Sequence, residues 1–151
     1  MIRKFLPVSA LACACSAGAA DGTWNWEKRR SVGDGWDLGG YVEFSTGGWQ
    51  GTEKVSALAA TPVFRIERSD SAVAPYFEGA IGLNLLSQVD AAGRAGGSRL
   101  QLSDHLGAGV RFGEQRRHEI GLRLQHLSNG GVERPNPGMA FATVRYQYNF
   151  E

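Results

Sequence analysis

The sequence predicts an all-β fold, an antiparallel up-and-down barrel that spans a membrane with strands, and three observations predict it. Six segments alternate apolar and polar side chains with the period of two that a strand imposes. They run about ten residues each, the length of a tilted strand crossing a bilayer. Aromatics gather at their ends, with Trp36, Phe112, Tyr148 and Phe150 placed like the girdles of a membrane interface. Alternation alone also fits a soluble sandwich or a periplasmic barrel holding an apolar ligand. Strand length, the girdles and the aromatic Phe150 next to the C-terminus favour the membrane.

The first segment sets Trp36, Leu38, Gly40, Val42 and Phe44 against Asp37, Gly39, Tyr41, Glu43 and Ser45. The second sets Leu58, Ala60, Pro62, Phe64 and Ile66 against Thr61, Val63, Arg65 and Glu67. The third opposes Phe77, Gly79, Ile81, Leu83 and Leu85 to Tyr76, Glu78, Ala80, Gly82 and Asn84. In the fourth, Leu100, Leu102, Leu106, Ala108, Val110 and Phe112 oppose Arg99, Gln101, Ser103, His105 and Arg111. The fifth starts at Leu122, and the sixth opposes Ala140, Ala142, Val144, Tyr146, Tyr148 and Phe150 to Thr143, Arg145, Gln147 and Asn149. With the apolar parity in lipid, the polar parity fills a narrow interior with ion pairs. Only a short candidate, Trp24 to Lys28, precedes these six. Single-chain bacterial barrels use an even number of strands with eight the minimum, and an eighth is not visible unless residues before 24 supply it; either the N-terminal strand is degenerate or one is lost, which leaves closure open.

A chain of 151 residues allows one domain. Its formal charge of +1 gives no bulk attraction to nucleic acid or to an acidic partner. Residues 1–19 read as an export signal: Arg3 and Lys4 form a basic start, Phe5 to Cys15 is mostly apolar, and Ala17-Gly18-Ala19 offers small residues for cleavage. Cleavage is expected after Ala19 or Ala20, leaving 20–151 as the barrel domain. Cys13 and Cys15 both lie in the signal, so the exported chain has no thiol for a disulfide or a metal. No later run of 18 apolar residues exists, and a membrane can be entered only as a barrel.

Chemistry concentrates in Leu122 to Gly138, LRLQHLSNGGVERPNPG. Leu122, Leu124, His126 and Ser128 share one strand face, so a base and a hydroxyl sit in line with leucines. A serine esterase needs a nucleophile, a base, a carboxylate that orients the base, and donors for the oxyanion. His126 and Ser128 can fill the first two roles, although H-x-S by itself occurs often by chance. An interfacial His and Ser without chemistry is the bland alternative.

HLSNGGVERPNPG resembles the HYSNAG…PNDG segment of the outer-membrane lipid A 3-O-deacylases. The likeness extends through TPVFRIERSDSAVAPYFEGAIGL and DHLGAGVRF and covers roughly residues 35 to 148. It implies an eight-stranded barrel whose His-Ser-Glu triad, on the lipid-facing outside, removes the ester-linked acyl chain at position 3 of lipid A. The match puts the base on His126 and the nucleophile on Ser128. Asn129, Gly131 and Asn136 fall on loop positions where the resemblance implies oxyanion donors or site-shaping groups. The family's glutamate falls on Ala140, so the acid does not carry over.

Register suggests a substitute. If the turn Gly113 to Arg117 pairs Phe112 with His118, Asp104 lies opposite His126, and directly opposed strand residues have Cβ atoms about 5 Å apart. Asp104 is then the candidate orienting acid, against a bland place in the polar headgroup layer or a register shifted by two, with Glu133 on the loop as a weaker alternative acid. His105 and Arg111 are expected in the interior ion-pair network, and His118 on a solvated periplasmic rim beside Arg116 and Arg117. The loop Gln88 to Ser98 is expected outside the cell, with Arg94 near lipopolysaccharide sugars. Three scattered histidines make no metal site, the glycines lack the context of a phosphate loop, and no cofactor is expected. The partners expected are lipid A or lipopolysaccharide as substrate and the Gram-negative outer membrane, with room for a homodimer and none for nucleic acid. A barrel of the same family with a decayed triad and a structural or lipopolysaccharide-binding role is the second reading.

Overall fold

The computed structural model describes residues 3–4, 8–10, 19–26, 28–50, 54–87, 99–131 and 138–149. The described residues form one antiparallel sheet of ten strands. In chain order these are β1 (Arg3–Lys4), β2 (Val8–Ala10), β3 (Ala19–Asn25), β4 (Arg30–Gly33), β5 (Trp36–Gln50), β6 (Lys54–Arg68), β7 (Ala74–Leu86), β8 (Leu100–Phe112), β9 (His118–Ser128) and β10 (Met139–Tyr148). Strands β5 to β10 are the six segments that alternation marks out, each paired with its sequence neighbour. They are longer than the sequence suggests, up to 15 residues in β5 and β6, because polar residues at their ends continue the ladder beyond the apolar band.

Closure comes from the residues before 24. β3 and β4 lie in succession along one edge of β5, so the strand anticipated at Trp24 to Lys28 exists but is broken between Asn25 and Arg30. Arg3–Lys4 pairs with β3, while Val8–Ala10 pairs with β10. Residues 3–4 and 8–10 therefore flank the first and last strands and leave eight strand positions around the sheet. Between β4 and β5 the turn is Asp34-Gly35, with φ of 50° and 76°. These left-handed values are those of the two-residue turn whose twist matches a hairpin.

The structure is apolar outside and charged inside. Leu106 is 71% and Ile81 69% exposed, whereas Glu67 is 2% exposed. In water such a band of bare leucine, isoleucine and phenylalanine would drive association; in lipid it is the favoured surface. No helix among the described residues is long and apolar enough to cross a membrane, and crossing falls to the strands, whose backbone groups pair with one another.

Inside, every buried acid named here meets a guanidinium. Arg123 Nη1 donates to Glu43 at 2.9 Å and its Nη2 to Glu78 at 2.9 Å. Arg65 reaches Glu78 at 2.7 Å and Glu119 at 2.8 Å and lies 3.9 Å above the Tyr76 ring. Tyr41 adds its hydroxyl to Glu78 at 2.9 Å. Such pairing is what makes buried charge tolerable. Gly109 and Gly121 leave the room that the Tyr76 hydroxyl occupies, where any Cβ would collide with it. His105 and Arg111 take the expected inward positions, His105 Nε2 at 3.8 Å from Glu78 and Arg111 Nη1 at 3.1 Å from Glu67.

His118 sits at the turn end of β9, on the rim as expected, and stays partly exposed. Aromatics add to its surroundings: it is stacked on Phe112 at 5.4 Å and edge-on to Tyr148 at 5.0 Å. Its Nδ1 lies 2.8 Å from the Tyr146 hydroxyl. The reason is register: Phe112 and Tyr148 flank it directly on β8 and β10. Phe150 and Arg94 lie outside the described residues.

Candidate active site

The turn at 113–117 sets the site's register. It pairs Phe112 with His118, which carries Asp104 opposite His126 and Leu102 opposite Ser128. His126 Nδ1 lies 3.2 Å from Asp104 Oδ1. Both side chains are about half exposed, 46% and 55%. Their outward neighbours are apolar: Leu102, Leu106 and Leu124 share the face, and Ile81 on β7 lies opposite Asp104. Asp104 is thus a lone carboxylate on a greasy surface, held against the imidazole by ladder geometry.

On the other flank, Ala140 of β10 lies directly opposite His126. Its methyl group is too short to reach the ring as an acid would. Gly138 opens the approach to β10 with φ of 60°, and a Cβ there would lie 2.9 Å from His126 Nε2. The imidazole therefore spans the space between strands, Nδ1 toward Asp104 and Nε2 toward Gly138. Sequence reasoning missed this close approach; its only signal was the glycine that ends P-N-P-G.

Ser128 closes β9. Its Oγ accepts a hydrogen bond from the Gly130 backbone N–H at 3.4 Å, and among the described residues no hydrogen bond joins it to His126. Asn129 is buried and its Oδ1 accepts from the Gly131 N–H at 2.9 Å. Gly130 and Gly131 both take left-handed φ, 66° and 79°. The fold thus brings His126, Asp104, Ser128, Asn129 and Gly131 to one end of the β8–β9 hairpin. Asn136 and Glu133 lie outside the described residues.

The barrel interior holds a cavity of about 390 Å³, lined by Arg29, Arg65, Glu67, Arg111, Glu119 and Arg145 among others. None of the residues just described lines it. Its charged walls suit water rather than an acyl chain, so the apolar ligand surface is the outside of the barrel.

A closed antiparallel barrel with a lipid-compatible exterior, a charged interior and an imidazole–carboxylate pair on its outer surface has the build of a membrane-barrel enzyme acting on lipid. Comparisons with known proteins agree. Residues 17–149 match the family model described as lipid A 3-O-deacylase (PagL). A Pseudomonas aeruginosa protein, lipid A deacylase PagL, is 29% identical, with 97% of this chain and 98% of that protein covered. A Bordetella bronchiseptica protein of the same name is 39% identical over 75 residues, half of this chain and 41% of its own length. The crystal structure of the outer membrane enzyme PagL superposes with a TM-score of 0.82 at 25% identity, covering 99% of this chain and all of the other. This chain belongs to the lipid A 3-O-deacylase family.

Proposed function

We propose that the chain is an outer-membrane lipid A 3-O-deacylase in which Ser128 is the nucleophile, His126 the general base and Asp104 the group that orients His126. The observation that carries the reading is the 3.2 Å contact between His126 Nδ1 and Asp104 Oδ1 on the outward face. With Nδ1–H donated to Asp104, the Nε2 lone pair is the free one, the tautomer a proton shuttle requires. Ser128 lies two residues along the same face, and the reaction requires its side chain to turn away from Gly130 toward Nε2. Its oxygen then attacks the ester carbonyl while its proton passes to Nε2. The resulting imidazolium faces Asp104 and gives the proton to the departing sugar oxygen. Water enters, His126 takes its proton in turn, and the fatty acid leaves Ser128. Asn129, Gly131 and Asn136 are assigned to shaping the loop and receiving the oxyanion.

Depth in the membrane fits the substrate. Of the connections beyond this end of the barrel, 87–99 and 129–138 are long and 51–53 is short, whereas those at the other end, 34–35, 69–73 and 113–117, are all short turns. Long loops face outward in such barrels, which puts His126 and Ser128 at the level of the outer leaflet's sugar-proximal esters. Residues 1–19 serve as the export signal in this proposal. It extends to a homodimer, for which the mass of the detergent-solubilised protein is the measurement.

Ala140 favours a second reading, a catalytically silent barrel that binds lipopolysaccharide. Mass spectrometry of lipid A from outer membranes carrying the parent or Ser128→Ala decides between them. The deacylase loses one ester-linked hydroxyacyl chain with the parent only. Unchanged lipid A with both, the protein being folded in the membrane, establishes the silent barrel.

A further inference from the structure

We infer that Asn129 is a deamidation site, and, resting on the function proposed above, that its conversion to aspartate or isoaspartate switches the deacylase off. Asn129-Gly130 is the only Asn-Gly step in the sequence; the other asparagines precede Trp26, Leu85, Pro137 and Phe150. Glycine after asparagine leaves the attacking backbone nitrogen unhindered by a Cβ. The HYSNAG segment that this stretch resembles has alanine there, so the step belongs to this chain.

The local geometry prepares the reaction. The Gly131 N–H donates to Asn129 Oδ1 at 2.9 Å, which folds the side chain back over the following peptide and polarises its carbonyl for nucleophilic attack. The Gly130 nitrogen that would attack points its hydrogen at Ser128 Oγ, 3.4 Å away. Asn129 is buried, but Gly130 and Gly131 are exposed. Ring closure is intramolecular, and the exposed glycines admit both the solvent base that takes the Gly130 amide proton and the water that later opens the ring.

The steps balance without any oxidant or reductant. Gly130 N gives its proton to a solvent base and bonds to Asn129 Cγ; the side-chain amide nitrogen takes up one proton and departs as ammonia, leaving a succinimide. Water opens either ring carbonyl. One opening leaves aspartate, the other isoaspartate with its Cβ in the main chain. Either product places a carboxylate one residue from Ser128, where negative charge develops on the ester oxygen in the transition state. Like charge there opposes the reaction that oxyanion donors promote. The lengthened main chain of isoaspartate also shifts the turn that holds the Gly130 and Gly131 N–H groups.

The test ages the folded, full-length protein in detergent micelles at mildly alkaline pH and follows residue 129 by peptide mapping. Isoaspartate is labelled with a methyltransferase, and lipid A deacylation is assayed on the same samples. The amide-to-acid mass shift should accumulate at 129, run several-fold slower in Gly130→Ala, and be absent in Asn129→Gln. Activity should fall in proportion to conversion, and freshly prepared Asn129→Asp should be inactive. An intact Asn129 in the aged folded protein, under conditions that convert the same protein unfolded in urea, overturns the site. Conversion without loss of activity overturns the switch. Fresh parent protein with no deacylase activity refutes the proposed function instead, while the mass shift still decides the modification.

Discussion

Replacing Asp104 by asparagine removes the one carboxylate that touches His126 among the described residues, and the structure sets the size of the effect. A full charge pair at about 4 Å is worth about 1 kcal/mol at the dielectric of water and about 4 kcal/mol at an effective dielectric of 20. Asp104 and His126 are each about half exposed, 55% and 46%, so solvent and headgroups screen the upper figure. A loss of about 1 to 3 kcal/mol of imidazolium stabilisation remains, a drop in kcat of about tenfold to a hundredfold at 1.4 kcal/mol per decade. Single-turnover release of hydroxy fatty acid from lipid A in mixed micelles measures it, with Ser128→Ala as the floor. A second variant separates orientation from folding. Ala140 faces His126 from β10 as Asp104 does from β8, so Ala140→Glu in the Asp104→Asn background should restore at least tenfold of the loss. Full activity in Asp104→Asn, with none in Ser128→Ala, refutes the role assigned to Asp104.

Glu78→Ala strips a carboxylate from both Arg65 and Arg123 but leaves Arg65 on Glu119 and Arg123 on Glu43, so it should destabilise the barrel by less than the ~3 to 5 kcal/mol of a buried charge left wholly unpaired; urea unfolding in vesicles reads it. In the turn after β6, the hydrogen bond from Arg68 Nε to Asp70, 2.7 Å, holds the Asp70 carboxyl below its ordinary range. A lowered folded value stabilises at neutral pH and is lost as pH falls through it. The small difference in urea midpoint between the parent and Asp70→Asn should therefore vanish at strongly acidic pH. N-terminal sequencing of protein extracted from outer membranes should begin at Ala20 or Asp21. Such a chain lacks β1 and β2 and frees the edges of β3 and β10, so its folded form should resist detergent and heat less than the uncleaved chain; an N-terminus at Met1 refutes the cleavage.

The inside-out barrel was legible because alternation is local. Period two assigns Glu43, Arg65, Glu78 and Arg123 to one face and Leu83, Leu106 and Leu124 to the other without knowledge of any partner. The site was legible in part for the same reason, since His126 and Ser128 are two residues apart on one strand. A single hairpin register added Asp104, because a short turn fixes pairing along the whole ladder.

Closure was illegible, for Arg3–Lys4 and Val8–Ala10 carry no alternation long enough to notice and gain their pairing only from β3 and β10. The packing of His118 was also hidden, because it needs Phe112 and Tyr148 from two neighbouring strands at once. So was the reach of His126 Nε2 toward Gly138, across the seam to β10. By itself, then, the sequence determined which residues face lipid and which candidate groups share that face, since side-chain parity is a property of each strand alone. The tertiary structure decided how the edges close and which groups meet across strands, because distances between strands exist only once the sheet has formed.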